Sequence, residues 1–222
     1  MRIPVVQKVL AANDLLADEL RGRFRKAGVL VVNLMGSPGA GKTSLLERTI
    51  ERAGGGIKIG VIEGDPATSL DADRIARFGT PVVQTNTGGG CHLDAAMVER
   101  ALDRLDVSAL DILVIENVGN LVCPSQFDLG EAYKIVVSSL PEGDDKVLKY
   151  PGTFSLASVV VLNKLDLLPH LRFNLPDFRR HISELNPRAS LIELSCVTGE
   201  GLDRWMEWLE EGVRKLKAKG GG

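Results

Sequence analysis

The residues best suited to chemistry form a glycine-rich segment, Gly-Ser-Pro-Gly-Ala-Gly-Lys-Thr, at positions 36–43 of the 222-residue chain. The segment follows an apolar run, precedes a helical pattern and matches the phosphate-binding P-loop in full. Its glycines allow backbone N–H groups to surround phosphate oxygens. Lys42 is expected to reach the β- and γ-phosphates, and the Thr43 hydroxyl to ligate Mg²⁺. The predicted phosphate-binding residues are Gly36, Ser37, Gly39, Ala40, Gly41, Lys42, Thr43 and Ser44.

Two later apolar runs end in carboxylates. Glu116 follows Ile-Leu-Val-Ile and fits a Walker-B role on Mg²⁺, directly or through water, while the Gly119 N–H is placed to sense the γ-phosphate. Asp65 is placed to contact Mg²⁺ or to orient the attacking water, and it also suits the cap of a helix beginning around Pro66. The role of Glu63 stays open. The predicted catalytic residues are Lys42, Asp65 and Glu116, and the predicted Mg²⁺ ligands are Thr43, Asp65 and Glu116.

A third segment, Asn163-Lys164-Leu165-Asp166, indicates which base is bound. The Asp166 carboxylate can accept hydrogen bonds from the N1–H and 2-amino groups of guanine, a donor pair that adenine lacks. Lys164 is expected to lie along the base, and Asn163 to tie this loop to the P-loop. Farther on, backbone N–H groups of Ser195, Cys196 and Val197 are available for the guanine oxygen, with Cys196 neutral. The motif is weak alone, but its position after a P-loop favours GTP and GDP over adenine nucleotides.

A cysteine and histidine constellation lies in the segments that follow two apolar runs. Cys91 and His92 are adjacent, and the spacing of Leu93, Met97, Ala101 and Leu105 places them at the start of a helix, where a thiol ionises more easily. Cys123 lies seven residues beyond Glu116. Soft sulfur and nitrogen ligands suit Ni²⁺ or Zn²⁺. By spacing alone, scattered thiols beside a solvated histidine are an equal alternative, since three ligands fall short of a closed structural zinc site.

The elements that must position these residues are visible in the apolar pattern. Seven strand-like runs alternate with helical patterns, and runs this apolar indicate strands buried on both faces of a parallel sheet. We therefore expect an α/β P-loop NTPase with a mostly parallel central sheet flanked by helices. The predicted organisation is a helical extension over 1–28, a GTPase domain over 29–217 and a disordered tail over 218–222. The predicted strands are Val29–Met35, Ile57–Ile62, Pro81–Thr85, Ile112–Glu116, Ile135–Ser138, Val159–Asn163 and Leu191–Ser195.

Composition limits the partners and the compartment. The chain carries 29 acidic and 27 basic residues, a formal charge of −2 that disfavours nucleic acid or an anionic membrane as partner. Three cysteines cannot form a disulfide framework and suit a reducing compartment. Charged residues interrupt the first twenty positions, so no signal-peptide core is present there. The expected location is the cytoplasm.

Taken together, these motifs resemble the HypB family, the GTPases that insert nickel during maturation of nickel–iron hydrogenases. The resemblance extends from about Asn13 to the last helix, and its most specific parts are Cys91-His92 and the 117–123 segment. The segments that carry it are Gly-Ser-Pro-Gly-Ala-Gly-Lys-Thr (36–43), Glu-Gly-Asp (63–65), Cys-His-Leu-Asp-Ala (91–95), Glu-Asn-Val-Gly-Asn-Leu-Val-Cys-Pro (116–124), Glu-Gly-Asp-Asp-Lys (142–146) and Asn-Lys-Leu-Asp-Leu (163–167).

The resemblance implies a GTPase that dimerises around nucleotide. It further implies that Cys91, His92 and Cys123 hold Ni²⁺ or Zn²⁺ at the dimer interface. The implied partners are a HypA-type accessory protein and the hydrogenase large-subunit precursor. Lys146 and Lys149 are candidates to reach across to the partner's nucleotide. Residues 1–30 contain neither Cys nor His, so the N-terminal nickel-binding extension of some family members has no counterpart in these residues.

Three other functions compete with this interpretation. A urease-type nickel GTPase usually carries Cys-Pro-His, whereas this chain has Cys123-Pro124-Ser125. A metal-binding module that uses nucleotide only for structure would show no GTP turnover. A small-molecule kinase would usually use ATP, and Asp166 disfavours that.

Overall fold

The computed structural model describes residues 5–65 and 70–220, and within them all seven predicted strands are present. Their ends differ from the predicted ones by up to three residues. The strands are β1 (Leu30–Met35), β2 (Ile59–Asp65), β3 (Val82–Asn86), β4 (Ile112–Glu116), β5 (Tyr133–Ser139), β6 (Val159–Asn163) and β7 (Ser190–Glu193).

The strands form one parallel sheet in the order β3-β2-β4-β1-β5-β6-β7. Strand β1, which leads into the P-loop, lies near the centre, and every residue of it is buried. In a parallel sheet all carboxyl ends face one rim, where ligands of open α/β folds bind. The segments after β1, β2, β3, β4, β6 and β7, which carry the predicted site residues, therefore meet at the same rim.

Helices cover both faces of the sheet, as predicted. The long first helix ends before Gly28, and it buries Ala17, Leu20 and Phe24 in the core cluster that contains the side chains of β4 and α4. The helices are α1 (Val5–Ala27), α2 (Lys42–Ala53), α3 (Leu70–Ala76), α4 (Ala95–Leu102), α5 (Lys146–Lys149), α6 (Pro151–Ser155), α7 (Leu175–Leu185) and α8 (Leu202–Gly220).

Two predictions at element ends were wrong. Helix α8 continues to Gly220, so the predicted disordered tail is helical over 218–220, and 221–222 lie outside the described residues. Helix α4 begins at Ala95, not at Cys91, because the Asp94 carboxylate accepts a hydrogen bond from the Met97 N–H at 2.7 Å and caps it. The predicted helix start around Pro66 lies outside the described residues. Among the described helices, none has the length and apolar character needed to cross a bilayer.

Candidate nucleotide and metal site

A cavity of about 470 Å³ lies at the rim, above the P-loop. Its wall includes most of the predicted phosphate-binding and catalytic residues, while Gly36, Ser37 and Ala40 support the loop from outside the wall. Gly119 closes the far side so tightly that a Cβ there would lie 3.0 Å from Pro38 Cγ. The site residues on the wall are Gly39, Gly41, Lys42, Thr43, Ser44, Asp65, Glu116, Gly119 and Lys164.

The buried polar groups in this cavity are organised around Glu116, which is 1% exposed. Its Oε1 accepts the Thr43 hydroxyl at 2.8 Å and lies 3.9 Å from Lys42 Nζ. Its Oε2 is buried and has no hydrogen-bond partner within the described part of the chain. A buried carboxylate oxygen without a partner is costly, so the site is built to receive a cation or a donor at this atom.

Oxygen ligands suitable for a hard cation surround this atom. Carboxylate oxygens of Glu63, Asp71 and Glu116 lie within 4.8 Å of one another. Burial and the neighbouring charge of Glu116 raise the pKa of Glu63 to about 11, so Glu63 would have to lose that proton to serve as a ligand. Asp65 lines the cavity at the end of β2. Asp71 follows no sequence motif and enters the site only through the packing of α3.

The predicted base-binding segments meet in a second cavity of about 420 Å³, which shares Ser44 and Lys164 with the first. Asp166, Cys196 and Val197 lie on its wall. Two adjoining cavities joined by the P-loop helix have the arrangement that a nucleoside triphosphate needs, with phosphates in one and base in the other.

The loops around the second cavity are held by their own side chains. Asn163 Nδ2 donates to the Ala40 carbonyl at 3.1 Å, as predicted, and Lys164 Nζ donates to the Gly39 carbonyl at 2.7 Å. Lys164 has φ 65°, which turns the chain so that Asp166 faces the cavity. The buried Ser195 hydroxyl donates to Asp166 Oδ1. The expectation that the N–H groups of Ser195, Cys196 and Val197 are available for the guanine oxygen was wrong for this structure. They donate to the Glu200 carbonyl, to Asn163 Oδ1 and to the Ser195 hydroxyl, and so brace the loop.

Burial raises the pKa of the Cys196 thiol to about 11, which keeps it protonated at neutral pH. Alkylation proceeds through the thiolate, and below the pKa the thiolate fraction grows tenfold with each unit of rising pH. We therefore expect the alkylation rate of Cys196 to rise about tenfold per unit from pH 7 to pH 10. Peptide mass spectrometry of iodoacetamide-treated protein would measure it. A rate that levels off below pH 9 would contradict the buried, neutral thiol.

The third predicted cluster also forms. Ligand atoms of Cys91, His92 and Cys123 lie within 4.8 Å of one another, and Cys91 Sγ is 3.6 Å from His92 Nδ1. The His92 ring stacks on Phe127 with centroids 3.8 Å apart, which orients its nitrogens. The expectation of an easily ionised Cys91 was wrong, because Cys91 precedes the helix and a hydrogen bond with Cys123 raises the pKa of its thiol. A soft metal would replace that proton at the cluster.

The two lysines considered for contacts with a second chain lie on α5. Lys146 Nζ is 3.0 Å from Glu142 and 4.9 Å from the centroid of the Tyr150 ring, so its charge is paired within the chain. Lys149 Nζ is 2.6 Å from Asp145, and its side chain is 61% exposed. Both charges are therefore paired within the chain, and Lys149 is the more exposed of the two.

The parallel sheet, P-loop, Walker-B carboxylate and paired cavities define a P-loop nucleotide-binding protein. The family model described as CobW/HypB/UreG, nucleotide-binding domain, matches residues 30–193. Hydrogenase maturation factor HypB of Azotobacter vinelandii is 51% identical over 206 residues, 93% of this chain and 68% of that protein. The chain therefore belongs to the CobW/HypB/UreG family, in its HypB branch.

Two solved structures agree with this assignment. HypB from Archaeoglobus fulgidus superposes with a TM-score of 0.86 at 43% identity, covering 92% of this chain and all of that one. HypB from Helicobacter pylori, solved in complex with nickel, superposes with a TM-score of 0.88 at 41% identity. The superposition covers 92% of this chain and 96% of that one. The similarity spans nearly the full length of both, so fold and family rest on the whole domain.

Proposed function

We propose that this protein is a GTPase that couples GTP binding and hydrolysis to delivery of nickel to a nickel–iron hydrogenase precursor. One observation carries the proposal: the Cys91–His92–Cys123 cluster and the nucleotide cavity lie on the same rim, and the residues from Glu116 to Cys123 connect them. A movement of this segment when the γ-phosphate binds or leaves would reach the metal ligands directly. Nickel is the cargo in this proposal, and the Helicobacter pylori relative was solved in complex with nickel.

The phosphate cavity supports hydrolysis through its own groups. Lys42 would neutralise the β- and γ-phosphates, and the Gly119 N–H would contact the γ-phosphate. Thr43 and Glu116, with Asp65, would hold Mg²⁺, which would neutralise charge that develops between the phosphates. Asp65 would orient the attacking water. With no glutamine at a water-positioning place in the motifs, we expect slow intrinsic turnover.

The metal cluster supports assembly of two chains. It offers three ligands, and a metal that binds four completes its shell with water or with ligands from a second chain. Cys91 and Val122 are exposed at the rim, where a two-fold mate would bring both clusters together. We propose a homodimer linked by nucleotide and metal, a cytoplasmic location and a HypA-type partner. Zn²⁺ suits the same ligands as Ni²⁺.

Metal analysis with and without a non-hydrolysable GTP analogue tests the proposal most directly. Purified protein would be dialysed against Ni²⁺ in the presence of GDP or the analogue, and bound nickel counted per chain. We expect the GDP-bound and the analogue-bound protein to retain different amounts of nickel. We also expect phosphate release from GTP but not from ATP. Equal retention together with no GTP turnover would favour a metal-binding module that uses nucleotide only for structure.

The cysteine cluster yields a prediction about assembly. Cys91→Ser should still bind GTP as a monomer, because Cys91 lies outside both cavities, but it should not form a metal-linked dimer. By linkage, metal should raise the wild-type dimerisation constant by the same factor by which dimerisation raises the affinity for metal. Sedimentation with the GTP analogue and titrated Ni²⁺ or Zn²⁺ would measure both proteins.

His170→Ala is the matched control, since His170 is an exposed imidazole outside the cluster. It should keep the wild-type dimerisation curve. If wild type and Cys91→Ser show the same mass at every metal concentration, the shared interface site is wrong.

A further inference from the structure

A chain of buried amides crosses the sheet beneath the rim, and the motifs do not explain it. Asn33 lies in β1 and is fully buried, although strands covered on both faces are normally apolar. Its Oδ1 accepts from Asn117 Nδ2 at 3.2 Å, and its Nδ2 donates to Glu131 Oε1 at 3.2 Å. Glu131 in turn accepts the Leu129 N–H at 2.7 Å. Buried amides need partners of this kind, and here the chain of bonds fixes the orientation of Asn117.

Asn117 joins two loops with one oxygen. Its Oδ1 accepts the Val118 N–H and the Leu93 N–H, each at 3.0 Å, and Asn117 is 1% exposed. Val118 precedes Gly119, which is proposed to contact the γ-phosphate. Leu93 follows His92, one of the proposed metal ligands.

Both loops are held by close packing, the 118–120 segment against the P-loop and Leu93 against β2. Gly119 abuts Pro38, and Asn120 forms a backbone bridge with Gly36, so the 118–120 segment cannot shift without disturbing P-loop contacts. Leu93 is fully buried, and a Cβ on Gly64 would lie 2.7 Å from its Cγ. The Leu93 backbone is therefore held firmly, and the Asn117 oxygen is its buried polar link to the 118–120 segment. A second, exposed link joins Asn120 Nδ2 to the Cys91 carbonyl at 3.4 Å.

We infer that Asn117 is a positioning residue that transmits the state of the nucleotide to the Cys91–His92 metal loop. The inference rests on the proposed function, since it assumes a γ-phosphate contact at Gly119 and a metal on Cys91 and His92. When Val118 and Gly119 move, the buried oxygen either carries Leu93 with it or leaves an N–H unsatisfied, and the second outcome is costly. The conformation of the Cys91–His92 loop therefore depends on which nucleotide is bound.

Asn13 provides a matched control on the same metal loop. Its Oδ1 accepts the Ala95 N–H at 2.9 Å, and its Nδ2 donates to the Asp128 carbonyl at 2.8 Å. Within the described residues, its side-chain hydrogen bonds reach neither Val118 nor Gly119. Loss of Asn13 should therefore loosen the metal loop equally in every nucleotide state.

The test compares the Ni²⁺ Kd of the full chain with saturating GDP and with a saturating GTP analogue, both with Mg²⁺, by competition with a chromophoric chelator. We expect the two Kd values to differ at least about 5-fold in the wild type, the lower end of common coupling factors. Asn117→Ala should bring the ratio close to 1, because the link that remains, from Asn120 Nδ2 to the Cys91 carbonyl, is exposed and long at 3.4 Å. Asn13→Ala should weaken Ni²⁺ binding in both states and keep the wild-type ratio. An Asn117→Ala ratio equal to the wild-type ratio would overturn the inference.

Amide exchange in the wild type gives a second measurement that needs no variant. Adding the analogue should change exchange at Leu93 and Val118 together and leave Ala95, held by Asn13, unchanged. A change at Val118 without one at Leu93 would overturn the inference. A wild-type Kd ratio of 1 would reject the proposed nucleotide–metal coupling itself, and the inference with it. That outcome is distinguishable, because the wild type is measured before any variant is made.

Discussion

Lys42→Ala is expected to abolish most GTP binding and turnover. The Lys42 side chain is 9% exposed at the floor of the phosphate cavity, so its ammonium meets a triphosphate in a largely desolvated setting. Hydrogen bonds between charged groups in such a setting are the strong ones. We expect a loss of at least about 100-fold in turnover, the scale for removing one preorganised group that stabilises transition-state charge.

Phosphate release and binding of a fluorescent GDP analogue would measure the effect. Lys58→Ala is the control, because Lys58 is exposed and its hydrogen bond to Asp111 uses the backbone N–H. The control should match the wild type. Unchanged turnover in Lys42→Ala would mean that the glycine-rich loop is not the nucleotide site.

The strands and the site loops could be predicted because parallel strands carry their own signal. A strand buried on both faces is a short apolar run, and each run that bears on the site ends at a polar motif on the same rim. The Asn163 contact with the P-loop also followed from the motif order, and it is present as a hydrogen bond to Ala40. Sequence reasoning therefore sufficed wherever a motif immediately follows a strand.

The start of α4 could not be read from periodicity. Leu93 and Leu105 continue the spacing of Met97 and Ala101, but both lie outside the helix. Leu93 is buried because it packs against Gly64, a tertiary contact that a helical repeat imitates. The N-cap at Asp94 was the local signal that places the boundary correctly.

Contacts between distant segments were also beyond sequence reasoning. Asn33 is a single polar residue within an apolar run, and its role depends on Asn117 and Glu131, 84 and 98 positions away. Asp71 joins the carboxylate group only through the packing of α3. Such residues carry no local pattern, because their partners are set by strand order and helix packing.

The base cavity leads to the second large expected effect. Asp166→Asn should weaken GTP by about 100-fold or more, since guanine N1–H and 2-amino donors lose a carboxylate and meet an amide donor. The same variant should gain affinity for xanthosine triphosphate, because the new amide N–H can donate to the 2-oxo group. The oxygen of the introduced amide can still accept from Ser195, whose hydroxyl bonds Asp166 Oδ1 in the native chain, so the loop should keep its conformation.

Competition between the two nucleotides for each protein would measure the switch, and Glu51→Gln provides the matched control. Glu51 lines the same cavity and undergoes the same carboxylate-to-amide change, but its carboxylate pairs with Arg48 at 2.7 Å. The Glu51→Gln variant should still prefer GTP. Loss of one negative charge in the cavity does not by itself reverse the pattern of donors and acceptors that faces the base. If Asp166→Asn also keeps its GTP preference, Asp166 does not read the base.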